Sequence, residues 1–297
     1  MFRLISLFLL IAFALVMSAC KPSSSREPMS SEELSEAIAA ATAAEDETMR
    51  QLVYVVGQGA SSWSASGRSP VSNDKPIAML VWGEGLNLEG SGIIICGMME
   101  GMRMMPGAVG LSHNQEPLFG LMPVLPLSRL EDPSYAYGLS FSQVGTADIP
   151  VLVRRLDNAG GEVHMDLSQV DPKLAAWSRD VVWRDDWEIR LYDEMVAEKG
   201  EAFAFSFVGS FYCPGGFTRT QDGKRAVLES AEFTLIFDAD VPIELRAYKA
   251  SSIESDSAQP EELDRMLNMA TIVVVCTEPV ERLELVTRMI PKVEETE

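Results

Sequence analysis

DPKLAAWSRDVVWRDDWEIRLYDEMVAEKG, residues 171–200, is the stretch on which the fold class turns. Asp171 followed by Pro172 is a helix start: a side-chain cap for the orphan N–H groups, then a residue whose fixed φ suits the first turn. Leu174, Trp177 and Val181 then lie on one face at helical spacing. The polar run Arg184-Asp185-Asp186 separates this helix from a second one, which carries Trp187, Leu191 and Met195 and stops near Gly200. Two helices here, beside strands on either side, predict an α+β protein of antiparallel sheets with packed helices.

The strand signals surround that stretch. Downstream, Phe203, Phe205, Phe207 and Phe211 alternate with Ala204, Ser206 and Ser210, so one face is aromatic and the other small. Asp222-Gly223 marks a tight hairpin turn. Phe233, Leu235 and Phe237 alternate with polar residues, as do Ile243 and Leu245. Thr271 to Cys276 reads as a buried strand, and Glu281 to Met289 as a closing helix. Upstream, Val151 to Leu156 and Glu162 to Leu167 flank a glycine-containing turn and form a hairpin. Ile77 to Trp82 and Ile93 to Cys96 are short apolar strands, and Pro123 puts Leu118 to Leu125 at a sheet edge. Ser30 and Glu33 have capping-box spacing at the head of an Ala-rich helix that runs to about Met49. A short helix opens at Pro260-Glu261-Glu262.

With 297 residues and 47% hydrophobic content, the chain is long enough for one large domain or two small ones. The natural division is 32–168 and 169–297, two α+β regions. Lys and Arg number 24 against 44 Asp and Glu, a formal charge of −20. Such a surface repels nucleic acid and anionic headgroups and favours cationic partners.

The N-terminus carries an address. Arg3 precedes an apolar run from Leu4 to Val16, and Met17-Ser18-Ala19-Cys20 follows. The run is shorter than the roughly 20 residues of a spanning helix. It resembles the signal peptide and lipobox of bacterial lipoprotein precursors, with Met17 where Leu is usual. The resemblance implies removal of residues 1–19, lipidation of Cys20 and a tether over 20–31. Lys21 after the cysteine implies an outer-membrane anchor facing the periplasm.

Three further cysteines lie in what is then a disulfide-permissive compartment. Cys276 ends an aliphatic run and reads as an inert buried thiol. Cys96 and Cys213 stand at strand exits near glycines and are the expected disulfide.

Catalytic patterns are weak throughout. No nucleophile elbow or phosphate-binding glycine loop occurs, and the two histidines, His113 and His164, have no motif around them. Met98, Met99, Met102, Met104 and Met105, beside Cys96, are soft-ligand candidates for Cu(I); methionine packing is the plainer reading. Asp185-Asp186 between Trp183 and Trp187 has glycosidase residue types, but adjacent carboxylates diverge. Asp238 and Asp240 lack the further oxygen ligands of a calcium loop. No catalytic residue, metal or cofactor is expected.

Within residues 203–268, Phe211-Tyr212-Cys213-Pro214-Gly215-Gly216-Phe217, the strands at Glu232 and Pro242, and the acidic Glu261-Glu262-Leu263-Asp264-Arg265 carry a further likeness. They resemble the C-terminal domain of lipoprotein immunity proteins that neutralise phospholipase effectors of type VI secretion. That resemblance implies a non-enzymatic inhibitor held at the membrane, and the acidic surface then suits a basic secreted toxin as partner. The alternative is an envelope assembly, ligand- or metal-binding lipoprotein that uses the Met segment.

Overall fold

Burial from residue 177 to residue 197 alternates with a period of two. Trp177, Arg179, Val181 and Trp183 are buried, and so are Ile189, Leu191, Asp193, Met195 and Ala197. A period of two belongs to strands, and the stretch forms two paired strands, Leu174–Arg184 and Ile189–Ala197. The two helices expected there do not form, and the α+β class is corrected to an all-β fold, with one short α-helix among the described residues. The helical reading failed for identifiable reasons. A spacing of four, as in Trp187, Leu191 and Met195, suits both periods. The odd spacing of Leu174 and Trp177 is absorbed by a register slip between Leu174 and Ala176, so both are buried. Arg179 and Asp193 occupy inward positions and conceal the apolar alternation.

The computed structural model describes residues 27–42, 51–57, 77–84, 91–96, 107–113, 116–124, 149, 151–170, 174–249 and 268–292. Helix α1 (Ser31–Thr42) precedes β1 (Gln51–Gly57), β2 (Ile77–Glu84), β3 (Ser91–Cys96), β4 (Val109–His113) and β5 (Glu116–Val124). Next come β6 (Leu152–Asp157), β7 (Gly160–Asp166), β8 (Leu174–Arg184), β9 (Ile189–Ala197), β10 (Ser206–Tyr212), β11 (Thr218–Asp222) and β12 (Arg225–Glu229). The chain ends with β13 (Phe233–Ala239), β14 (Ile243–Lys249), β15 (Met269–Cys276) and β16 (Arg282–Pro291). The closing helix expected at Glu281 to Met289 is thus strand β16, whose Leu283, Leu285, Thr287 and Met289 alternate inward.

The described strands form two eight-stranded antiparallel sheets. The first has the order β1-β2-β3-β4-β5-β10-β15-β14, the second β11-β12-β13-β16-β9-β8-β7-β6. They stack on one continuous core. Trp82 of the first sheet meets Trp183 of the second edge-on at 6.1 Å between centroids, and Phe211 meets Phe233 at 5.9 Å. Each large apolar side chain buried there contributes about 1.5–3 kcal/mol. Strands from both sides of residue 168 enter both sheets, and β7 pairs with β8 across that point, so regions 32–168 and 169–297 share one core. Strand β5 lies inside its sheet rather than at an edge. Pro123 is accommodated beyond the last β4 pair, Val109–Leu121, where among the described residues β10 alone pairs with it.

Both open sides of the sandwich are closed. On one, α1 begins with the expected capping box: Glu33 N–H donates to Ser30 Oγ at 3.3 Å, and Ser30 N–H donates to Glu33 Oε2 at 2.7 Å. Its Leu34 and Ile38 enter the core, and the helix packs on edge strands β6 and β1. On the other side, side chains of β11 stitch the edge of β14. Gln221 Nε2 donates to Ile243 O at 2.9 Å, Leu245 N–H donates to Gln221 Oε1 at 3.0 Å, and Arg219 Nη1 donates to Leu245 O at 2.7 Å. Gln221 thus stands in for a peptide group of a neighbouring strand, which blunts an exposed edge.

The outer faces of the two sheets differ. On the first, outward residues Met79, Val81 and Val273 are buried as well. On the second, arginine–carboxylate pairs stand among the outward residues.

Candidate functional site

The outer face of the second sheet is assembled by register. Strand pairing places Leu152, His164, Asp180 and Tyr192 in one row across β6 to β9. Arg154, two residues beyond Leu152 on β6, lies on the same side by strand alternation. Arg154 Nη1 donates to Asp180 Oδ1 at 2.8 Å and lies 3.8 Å from Glu162 Oε1. His164 Nδ1 is 2.7 Å from that same Asp180 oxygen. Asp180 therefore orients both the imidazole and the guanidinium. Arg154 Nε and Glu162 Oε1 are buried without a hydrogen-bond partner among the described residues, a cost tolerated in few places in a folded protein.

The next cluster starts at the β8–β9 turn. Asp185 to Glu188 connect β8 to β9, and Trp187 there takes a positive φ of 63°, the place usually given to glycine. Packing of its ring on Trp82, 5.1 Å away, offsets that strain. Asp186 Oδ1 accepts from Glu188 N–H at 3.0 Å, which sets Glu188 on the outer face. There Glu188 Oε1 accepts from Arg190 Nε at 2.8 Å and from Arg288 Nη2 at 2.9 Å. Burial pushes the Glu188 carboxyl up, and the hydrogen bonds from Arg190 and Arg288 outweigh it, so the group ends below the usual carboxylate range. Further along, Arg282 bridges Glu194 and Glu284, and Arg225 pairs with Asp238 at 3.2 Å.

The residues singled out from sequence fare unequally. Cys96, Cys213 and Cys276 are free, buried thiols, so the expected Cys96–Cys213 bridge is not formed. Strands β4 and β5 intervene between β3 and β10. At about 4.8 Å per strand that separation exceeds disulfide reach. Burial pushes the thiols of Cys96 and Cys276 up to about 11, and that of Cys213 up against the pull of Lys249. His113 is on the first sheet and His164 on the second, so the two histidines do not meet. Asp185 and Asp186 are exposed turn residues, and Trp183 is fully buried, not a stacking platform. Asp240 Oδ1 accepts from Glu284 N–H at 2.8 Å, a structural link from the turn after β13 to strand β16. No group of three His, Cys, Asp or Glu suited to a metal occurs among the described residues. Cys20 and the methionines from Met98 to Met105 lie outside the described residues.

Sequence reasoning missed Arg154, Asp180, Glu188, Arg190 and Arg288. Once β8 and β9 are read as helices, outward charges become a solvated helical face and carry no signal.

Neither a family model nor a curated protein matches this sequence. Among solved structures, the chain is similar to the heparinase III BT4657 gene product, with 8% identity over 72% of this chain and 34% of that one, at a TM-score of 0.45. It is similar also to a heparan sulfate lyase HepC mutant from Pedobacter heparinus, with 9% identity over 74% and 36%, at a TM-score of 0.45. Galactose 1-epimerase from Lactobacillus acidophilus NCFM aligns with 10% identity over 81% and 99%, at a TM-score of 0.42. The chain spans about a third of the two lyases' length. These likenesses are too remote to carry an activity or a ligand to this chain.

Proposed function

We propose that the chain is a lipid-anchored, non-enzymatic binding protein of the bacterial envelope that engages a partner protein through the outer face of its second sheet. The observation that carries this reading is the arrangement of that face. Arg154, Glu162, His164 and Asp180, then Glu188, Arg190 and Arg288, are held in place by one another on rigid strands. Preorganised charges of this kind lower the cost of ordering an interface and select a partner by complementary charge. The Cys20 lipobox supplies the anchor in this reading, and the formal charge of −20 suits a basic partner such as a secreted toxin.

Two measurements test it. Globomycin treatment should accumulate a precursor, and Cys20→Ser should release the protein from membranes. A purified partner candidate, such as a toxin encoded beside this protein, should bind the wild type and bind Asp180→Arg at least about tenfold more weakly. Equal binding to both proteins removes the face from the interface, and a soluble Cys20 form in untreated cells removes the anchor.

A further inference from the structure

One oxygen of Asp180 is claimed twice. Asp180 Oδ1 lies 2.7 Å from His164 Nδ1 of β7 and 2.8 Å from Arg154 Nη1 of β6. A second carboxylate stands beside this group and is left out: Glu162 Oε1 is 3.8 Å from the same Arg154 nitrogen, too far for a hydrogen bond. Glu162 Oε1 and Arg154 Nε are both buried with no hydrogen-bond partner among the described residues. Both side chains are only 10% exposed, so water does little to offset either omission. An acceptor and a donor left unmet within one ion pair mark an arrangement that a small movement would improve.

The imidazole decides which arrangement holds. Asp180 as a carboxylate only accepts, so Nδ1 carries the proton in neutral His164 and Nε2 takes the next one. Histidine is the side chain suited to changing charge between about pH 5 and pH 8, and the His164 side chain is 20% exposed, open to proton uptake. While the ring is neutral, Arg154 sits on Asp180 and Glu162 goes short. Once the ring is charged, its hydrogen bond to Asp180 becomes charge-assisted, roughly twice as strong as a neutral one, and competes with Arg154 for the same oxygen. A shift of about 1 Å then brings Arg154 Nη1 onto Glu162 Oε1. Two ion pairs replace one shared carboxylate: His164 with Asp180, and Arg154 with Glu162.

The charged neighbours are engaged elsewhere. Arg154 and Arg155 face the imidazole from β6, Glu162 and Asp166 flank it on its own strand, and Asp180 faces it from β8, with Tyr192 and Glu194 of β9 beyond. Arg155 pairs with Asp157 at 2.6 Å, Asp166 accepts from Ser168 N–H at 3.0 Å, and Glu194 accepts from Arg282 at 2.7 Å.

We propose that protonation of His164 transfers Arg154 from Asp180 to Glu162, which makes this cluster a proton-operated switch on the outer face of the second sheet. The exchange takes place in the unbound chain and needs no partner. Its consequence rests on the partner-binding reading: acidification adds a positive charge to the contact face and weakens capture of a basic partner.

The test is a titration of the full chain from about pH 8 to about pH 5, followed by NMR of the imidazole and arginine side-chain N–H signals. The chain has 2 histidines, so the imidazole signal lost in His164→Asn is that of His164, and Arg154→Lys identifies the Arg154 Nε signal in the same way. The Arg154 Nε signal is expected to shift in step with the His164 titration. That shift should vanish in His164→Asn, whose amide can donate to Asp180 but cannot gain a charge. It should vanish also in Glu162→Gln, which removes the receiving charge while His164 still titrates. A wild-type Arg154 Nε signal that stays fixed while His164 titrates overturns the switch, and so does a shift of full size in either variant. The wild-type titration decides by itself where a variant fails to fold. Capture of the partner at pH 8 is measured separately, so a lost switch with capture intact, or lost capture with the switch intact, tells the two readings apart.

Discussion

Arg179 and Asp193 face each other across β8 and β9 inside the sandwich, joined by two parallel hydrogen bonds of 2.7 and 2.9 Å with both side chains fully buried. The remaining guanidinium nitrogen, Nη1, donates to Gly107 O at 2.6 Å, and the guanidinium lies 5.6 Å from the centroid of the Phe207 ring. Gly107 and Phe207 belong to the first sheet's side of the core, so a single side chain pins the two layers together. Burial pushes the Asp193 carboxyl up, against the opposing pull of Arg179.

Breaking this pair from one side leaves a buried group uncompensated. Arg179→Met or Asp193→Asn alone should cost about 3–5 kcal/mol, while the double change Arg179→Met with Asp193→Leu should recover most of that loss. Urea unfolding of the three variants checks it. Additive losses in the double variant would show that the pair is not the unit of stabilisation.

Gly161 pairs with Trp183, and a Cβ added there would sit 2.1 Å from the Trp183 ring. That ring is wedged against Trp82 and cannot give way. Gly161→Ala should therefore destabilise by about 1–3 kcal/mol through overpacking. Adding Trp183→Leu should make the alanine tolerable, although the Leu change carries its own cavity cost. A thermal melt of the four proteins reads the coupling, and the absence of coupling would contradict the contact.

Glu188 gives the acid limb of stability a defined sign. Its carboxyl lies below the ordinary value of 4.5 in the folded protein. The stabilisation is therefore fully present above that value and is lost as pH falls through the folded one. Unfolding free energy of the wild type should decline below about pH 4.5, and Glu188→Gln should decline less steeply over the same interval. Parallel curves for the two proteins from pH 6 to pH 3 would exclude a role for Glu188.

The buried thiols of Cys96 and Cys276, pushed up to about 11, should resist iodoacetamide at pH 8 while the protein is folded. Cys213 should resist it as well, since it is buried and held up in the same direction. All three should react on addition of denaturant. Mass mapping of the oxidised protein should find no Cys96–Cys213 peptide, and recovery of that peptide would require a different arrangement of β3 and β10.

Legibility in the sequence followed the range of the interaction concerned. The Ser30 and Glu33 capping box is a three-residue affair and forms as read. The β6–β7 hairpin is set by its own turn, where Ala159 N–H donates to Asp157 Oδ1 at 2.8 Å and Gly160 takes a positive φ. The aromatic alternation at Phe203, Phe205, Phe207 and Phe211 also announced a buried face, and all four are buried. The charged face was not legible, because it depends on which strands become neighbours. Arg190 and Arg288 are 98 residues apart in number and meet only through the pairing of β9 with β16.

Local chemistry, then, determined where this chain turns, where its helix begins and which aromatic residues point inward. Only the tertiary structure decided that residues 174–197 and 282–291 are strands. A four-residue apolar spacing serves a helix and a strand equally, and the tie was broken by a partner strand and by a buried Arg179–Asp193 pair. A charge is stable at an inward position only when its counter-charge arrives from another strand, and no single segment carries that information.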